Sequence, residues 1–179
     1  MTNDKTNSMR NYRELVRRVD SLCETIGARL AGHLACRKGC DACCLHLSLF
    51  PVEAEMLTEA IKVLPAVQQE KLRERATTAR PDGPCPLLED HACLIYQARP
   101  MICRTHGLPV LTPMDGEAKV DFCPQNCQEL TSLSGDMVID LERLNAALTA
   151  INALFLHETG ETAQHRRPFM SEIILRVTG

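Results

Sequence analysis

Apolar residues near the start of the chain recur at three- and four-residue steps, which is the pattern of one face of an amphipathic helix. The steps begin near Asn11, pass through Tyr12 and Ile26, and end near Leu34. Residues 1–9 before them are polar, and we expect them to form a disordered tail. The first ordered element is therefore predicted to be a long helix.

The last third of the chain shows a longer helical pattern. Its apolar positions alternate by steps of four and three: Met137, Leu141, Leu144, Leu148, Ile151 and Phe155. Asp136 can cap the start of this helix and Gly160 its end, so the predicted helix covers residues 136–159. A final short helix is predicted at about 168–176.

The middle of the chain is punctuated by prolines. Pro51 is predicted to open a second helix, and Pro65 a third that runs to about Thr78. A short helix is predicted around residues 94–104, interrupted by Pro100.

A small β-hairpin is also predicted in the middle of the chain. Residues 110–111 and 118–122 flank a Thr-Pro-Met-Asp-Gly turn, and Pro109 should confine the first strand to an edge. The pattern as a whole predicts a mainly α protein, with residues 1–179 as a single helical domain around an irregular cysteine-rich centre at 36–127.

Composition narrows the class of protein. The formal net charge is -3, the isoelectric point is near 6.1 and tryptophan is absent, which disfavours nucleic acid as a partner. The N-terminus has no apolar signal segment, and no apolar run is long enough for a membrane helix. We therefore expect a cytoplasmic location without membrane contact, where disulfides are disfavoured and cysteines are more often metal ligands.

Cysteine spacing gives the most specific chemistry. Cys36, Cys40, Cys43 and Cys44 fall within nine residues. Spacers of two or three residues allow a turn to direct two sulfurs at one ion, and Gly39 eases that turn. The side chains of adjacent Cys43 and Cys44 diverge, so they either serve two sites or only one of them is a ligand.

Five further cysteines follow, and Cys23 precedes the cluster on the helical stripe, where it is interpreted as a small core residue. The full set of predicted metal ligands is Cys36, Cys40, Cys43, Cys44, Cys85, Cys93, Cys103, Cys123 and Cys127. Nine thiols could form two four-thiolate sites with one left over, or one site with several buried structural cysteines. Zinc and iron, including an iron–sulfur cluster, fit such ligands equally well.

The segments containing these cysteines resemble a known family. Cys36-x3-Cys40-x2-Cys43-Cys44, then Cys85-Pro-Leu-Leu, then Tyr96-x2-Arg99-Pro-x2-Cys103-Arg104 are similar to the YkgJ family of cysteine cluster proteins, whose domain is described as zinc- or iron-chelating. The resemblance covers about residues 36–127 and implies metal binding by their cysteines. A relative with a similar cysteine domain is the bacterial flagellin lysine N-methylase.

Two classes of function remain open at this point. The favoured hypothesis is a non-catalytic protein that handles metal ions or presents a metal-stabilised surface to a protein partner. The alternative is an iron–sulfur or metal-dependent enzyme related to the flagellin lysine N-methylase, transferring a methyl group to a protein. The enzyme hypothesis predicts a cleft near Tyr96, Arg99 and Arg104. His46 or His106 could be a fourth metal ligand. The sequence identifies no catalytic residue.

Overall fold

Helices dominate the fold, with two small sheets at the cysteine-rich centre. The computed structural model describes residues 7–37, 39–114, 117–160 and 166–179. The helices are α1 (Asn7–Arg29), α2 (Pro51–Lys62), α3 (Ala66–Thr78), α4 (Met101–Thr105), α5 (Leu141–Thr159) and α6 (Met170–Thr178). The strands are β1 (Leu88–Glu89), β2 (Ala92–Cys93), β3 (Val110–Met114), β4 (Glu117–Asp121) and β5 (Ile139–Asp140). The predicted mainly α class agrees with this architecture.

Helix α1 begins earlier and ends earlier than its apolar pattern predicts. It starts at Asn7, inside the predicted tail, and Ser8 and Met9 are buried. The carboxylate of Glu158 accepts hydrogen bonds from the backbone N–H groups of Asn7 (3.1 Å) and Ser8 (3.0 Å). This distant carboxylate satisfies amides that an isolated helix would leave without partners. The disordered tail was therefore wrong for residues 7–9, and residues 1–6 lie outside the described residues.

Helix α5 begins later than predicted. Asp140 is its N-cap, and its carboxylate accepts a hydrogen bond from the backbone N–H of Arg143 at 3.0 Å. The predicted cap, Asp136, lies instead in a short 3-10 turn before β5. The predicted start at residue 136 was wrong because β5 takes up an extended conformation to pair with β3. Gly160 ends the helix with a φ of 70°, as predicted.

The hairpin forms, although its first strand occupies a different place in the sheet. Strand β3 pairs antiparallel with β4 and parallel with β5, so it is the central strand of three. The predicted edge position was wrong. Pro109 lies just before the strand, and its carbonyl accepts a hydrogen bond from the Ile139 N–H at 2.9 Å, so the missing proline donor does not break the ladder.

The core is divided into two apolar clusters. The first cluster packs α1 against α5, with residues such as Tyr12, Ile26 and Phe155 buried. The second cluster joins α2, α3 and α6 around Leu57 and Ile174. Cysteines adjoin both clusters, so the cysteine-rich centre lies between two packed halves. Among the described residues, no helix is both long and apolar enough to span a bilayer.

Candidate metal centre

Three thiols pack against the second apolar cluster, and a fourth lies beside them. Cys44, Cys85, Cys93 and Cys103, which we name the inner group, are all partly buried. The backbone N–H of Cys85 donates to the carbonyl of Cys44 at 2.9 Å, which places these two residues side by side. Hairpin β1–β2 returns the chain so that Cys93 faces Leu88, and α4 supplies Cys103.

The thiols of the inner group act on one another's pKa values. The pKa of the Cys103 thiol is raised to about 12, mainly by burial and in smaller part by the charges of Cys85, Cys93 and Cys44. Burial likewise raises the pKa of Cys85 to about 11, with Cys93 and Cys44 contributing in the same direction. Four thiols this close favour the protonated form, and a cation bound among them would reverse that preference.

Arg99 places a positive charge beside the inner group. Its guanidinium stacks over the Tyr96 ring at 3.6 Å and donates a hydrogen bond to the carbonyl of Cys103 at 3.4 Å. Its charge lowers the pKa values of Cys93 and Cys103 against the larger effect of burial. Arg99 is therefore fixed where it can offset part of the negative charge of a thiolate site.

A second set of thiols lies on the exposed side of the centre. Cys36, Cys40 and Cys43 are exposed and Cys123 is partly buried, and we name these four the outer group. Burial raises the pKa of Cys43, and the charges of Cys44, Cys36 and Cys40 add to that effect. The peptide bond between Cys43 and Cys44 thus joins the two groups.

Gly107 brings Cys36 and Cys123 to the same place. A Cβ atom at Gly107 would lie 3.1 Å from the Cys36 Sγ and 3.7 Å from the Cys123 Cβ. Gly107 also has a φ of +91°, a conformation that other residues rarely adopt. Both its backbone conformation and its lack of a side chain are therefore needed where the outer group assembles.

Asn126 holds this assembly together and is fully buried. Its Oδ1 accepts from the Ala35 N–H at 2.8 Å, and its Nδ2 donates to the Gly107 carbonyl at 2.7 Å. Nδ2 also donates to the Cys36 Sγ at 3.3 Å. An N–H donor to sulfur stabilises a thiolate, so Asn126 supports the outer group although sequence reasoning missed it. Its position between Cys123 and Cys127 was the only indication in the sequence.

The eight thiols of the two groups fit a soft or borderline metal by their chemistry. Zinc and iron both accept four thiolate ligands, and each group supplies four. Within the described residues, no three His, Cys, Asp or Glu side chains are close enough to hold a metal ion as they stand. Four-thiolate binding would therefore need the side chains, or the segments that bear them, to move towards a common centre.

Comparison with known families supports this chemistry. A family model named CxxCxxCC, with the description "Putative zinc- or iron-chelating domain", matches residues 35–128, just over half of the chain. The chain belongs to this family. The match confirms the resemblance to cysteine cluster proteins and spans every member of both groups. Searches of curated proteins and of solved structures find no match.

Two cysteines of this CxxCxxCC chain lie in its first apolar cluster. Cys127 is 2% exposed, and its backbone N–H donates to the carbonyl of His33 at 2.7 Å. Among the nine cysteines predicted as metal ligands, Cys127 belongs to neither the inner nor the outer group. Cys23 packs against the same cluster, and burial raises the pKa of its thiol to about 11. Its placement agrees with the predicted core role.

The two candidate histidine ligands have different surroundings. His46 is buried, its Nδ1 hydrogen-bonds the Arg80 carbonyl at 2.8 Å, and its Nε2 accepts from the Ser171 N–H at 3.2 Å. With both ring nitrogens engaged, His46 connects three backbone segments. His106 is exposed and lines a cleft beside the outer group.

Arg104 has a structural role in the family domain. Its Nη1 contacts both carboxylate oxygens of Asp20 at 2.7 and 2.6 Å, while Nη2 and Nε donate to the carbonyls of Gln97 and Arg99 at 2.6 and 2.8 Å. Its side chain is 2% exposed. These bonds connect α1 to the segment that bears Cys103.

The cleft next to the family domain has a volume of about 660 Å³ and lies beside the outer group. Cys123, Gly107 and His106 form one wall, and apolar residues of α5 form another. Its described lining does not include Tyr96, Arg99 or Arg104, where the enzyme hypothesis expected a cleft.

The cleft also borders a buried carboxylate. Glu53 is 4% exposed, and its oxygens accept from the N–H groups of Met101 at 2.9 Å and Phe50 at 3.1 Å. Burial raises the pKa of Glu53, although both hydrogen bonds oppose that shift. Glu53 thereby connects the N-termini of α2 and α4.

Proposed function

We propose that the protein binds two metal ions, one in each thiol group, and acts in metal handling without chemistry of its own. The inner site uses Cys44, Cys85, Cys93 and Cys103. The outer site uses Cys36, Cys40, Cys43 and Cys123. Two observations support this assignment: the partly buried thiols of the inner group act on the pKa of Cys103, and Cys36, Cys40 and Cys43 are related in the same way, with Cys123 beside Cys36 at Gly107. Four thiolates complete a tetrahedral site.

Closed four-thiolate sites favour binding over catalysis. A catalytic zinc keeps one position for water or substrate, whereas a structural or stored ion has every position filled by protein. Cys127 is left out of both sites because it is buried in an apolar cluster. The metal is zinc or iron, in keeping with the family, and a cytoplasmic location remains our expectation.

Metal analysis of the purified protein tests this proposal. Protein prepared without oxygen should contain two metal ions per chain, measured as zinc, iron and acid-labile sulfide, with a visible spectrum of the same sample. A colourless protein with two zinc ions would support closed zinc sites. A brown protein with matching iron and sulfide would contradict two single-ion sites and favour the iron–sulfur enzyme. A protein without bound metal would contradict the proposal.

A matched pair of variants tests the ligand assignment. Cys40→Ser should lose the outer ion and retain the inner one, because serine does not replace a thiolate ligand. Cys23→Ser, which changes a cysteine outside both groups, should retain both ions. The assignment would be refuted if Cys40→Ser kept the full metal content and an unchanged melting temperature.

The cleft beside the outer group supports a second candidate, a metal-dependent enzyme. Because Cys123 lies in the wall of the cleft, a molecule bound there would be adjacent to an outer ion. Such an enzyme needs an open coordination position. Cobalt substitution distinguishes the candidates: a closed site keeps its tetrahedral thiolate spectrum when azide is added, whereas an open site changes it.

A further inference from the structure

The inner group is fixed by elements of the fold. Cys85, Cys93 and Cys103 pack against the second apolar cluster, and Cys44 is joined to Cys85 through a backbone hydrogen bond. We expect an ion held by these four thiols to leave when the hairpin or α4 moves away from the cluster. Such movement exposes apolar surface and costs free energy.

The outer group is held differently. Cys40 and Cys43 lie on an exposed segment of turns between α1 and α2. Gly39 in this segment has a φ of +93°, and a side chain added there would meet no heavy atom within 4 Å. These two thiols can therefore turn away from an ion without disturbing either apolar cluster.

The outer group is also accessible from a second direction. Cys123 lies in the wall of the 660 Å³ cleft, so an incoming ligand can approach from the cleft as well as from bulk solvent. Asn126 and Gly107 keep Cys36 and Cys123 in place while the other two thiols move. The site therefore combines one fixed half and one mobile half.

We propose that the outer site releases its metal ion to external chelating ligands, while the inner ion stays bound as part of the fold. This inference rests on the two-site assignment above. Exchange is a ligand substitution without a change of oxidation state. Each metal–sulfur bond to the protein is replaced by a bond from the incoming ligand to the metal, and the released protein thiolate takes a proton from solvent.

A chelator competition measures this difference. Protein loaded with two zinc ions is mixed with the coloured chelator 4-(2-pyridylazo)resorcinol, and zinc release is followed by absorbance. One equivalent should leave rapidly and the other at least about tenfold more slowly, because the second requires local opening of a packed core. A Cys123→Ser variant should lack the rapid equivalent and keep the slow one.

Differential alkylation identifies the cysteines without a variant of the inner group, which could fail to fold. After the rapid phase, N-ethylmaleimide should label Cys36, Cys40, Cys43 and Cys123, while the inner thiols stay protected by zinc. The labelled positions are read by peptide mass spectrometry.

Release of both equivalents in one phase would overturn the inference, as would labelling of inner thiols first or loss of the slow phase in Cys123→Ser. A wild-type stoichiometry other than two would instead overturn the two-site assignment. The two proposals therefore fail in different ways.

Discussion

Replacing Asn126 with alanine removes the side chain that connects three segments around the outer group. The variant leaves the Ala35 N–H and the Gly107 carbonyl without their partner, and the Cys36 sulfur loses its donor. A buried polar group without a partner costs about 1–3 kcal/mol, and a lost hydrogen bond about 1 kcal/mol. Because water can partly reach the half-buried Ala35, we expect the free energy of unfolding to fall by about 3 kcal/mol.

Urea unfolding followed by far-ultraviolet circular dichroism measures this loss. The free zinc concentration is fixed and saturating, and the part of the difference that comes from weaker zinc binding, measured by chelator competition, is subtracted. Asn145→Ala is the matched control because Asn145 is exposed on α5. Its effect should stay within about 0.5 kcal/mol. A loss in Asn126→Ala no larger than the control's would refute the role given to the buried amide.

The same variant should weaken the outer metal site. Groups that hydrogen-bond a ligand typically contribute about 10–100-fold to metal affinity. Chelator competition should show a decrease of this size for the rapidly exchanging ion and little change for the slow one. Asn126→Asp keeps the volume of the side chain but cannot donate to Cys36, so it should weaken the rapid site at least as much. Equal weakening of both ions would contradict the assignment of Asn126 to the outer group.

Three further predictions follow from other contacts. Arg104→Met should lower the free energy of unfolding by about 3 kcal/mol in urea denaturation, because it leaves Asp20 and two backbone carbonyls without their partner. A decrease below about 1 kcal/mol would contradict this prediction. Gly107→Ala should lose the outer ion in metal analysis, whereas Gly32→Ala, with a similar φ of +89° but open space, should keep it. The pKa of Glu53 is raised above 4.5 in the folded state, so the folded state binds more protons at this group than the unfolded state does. The contribution of Glu53 to the free energy of unfolding should therefore be complete below pH 4.5 and decline as the pH rises through the folded-state pKa. Glu53→Gln should abolish that decline in unfolding curves measured across pH, and an unchanged decline would assign it to another group.

Local pattern predicted the helices well and their boundaries less well. The apolar steps of α1 and α5 depend only on neighbouring residues, so both helices were recognised. Their starting points depend on distant partners: Glu158 accepts hydrogen bonds from the first amides of α1, and β3 draws residues 139–140 into a strand before α5. No local pattern contains these partners.

The cysteines likewise could be predicted from the sequence only where their grouping depends on neighbouring residues. Spacing alone singled out the cluster at Cys36–Cys44 and suggested that its last two members diverge. It could not assign the later cysteines, because the grouping of Cys103 with Cys44 depends on where α4 packs. Asn126 was missed because an asparagine beside cysteines resembles a surface turn residue until its burial is known.

The division of the core into two clusters has a consequence for the order in which the protein is made. Both clusters are completed by the C-terminal helices: Phe155 of α5 belongs to the first, and Ile174 of α6 belongs to the second. During synthesis the cysteine-rich segment therefore leaves the ribosome before the helices that enclose it. The inner thiols, which the folded protein partly buries, are open to metal ions and to oxidation until α5 and α6 have emerged and folded.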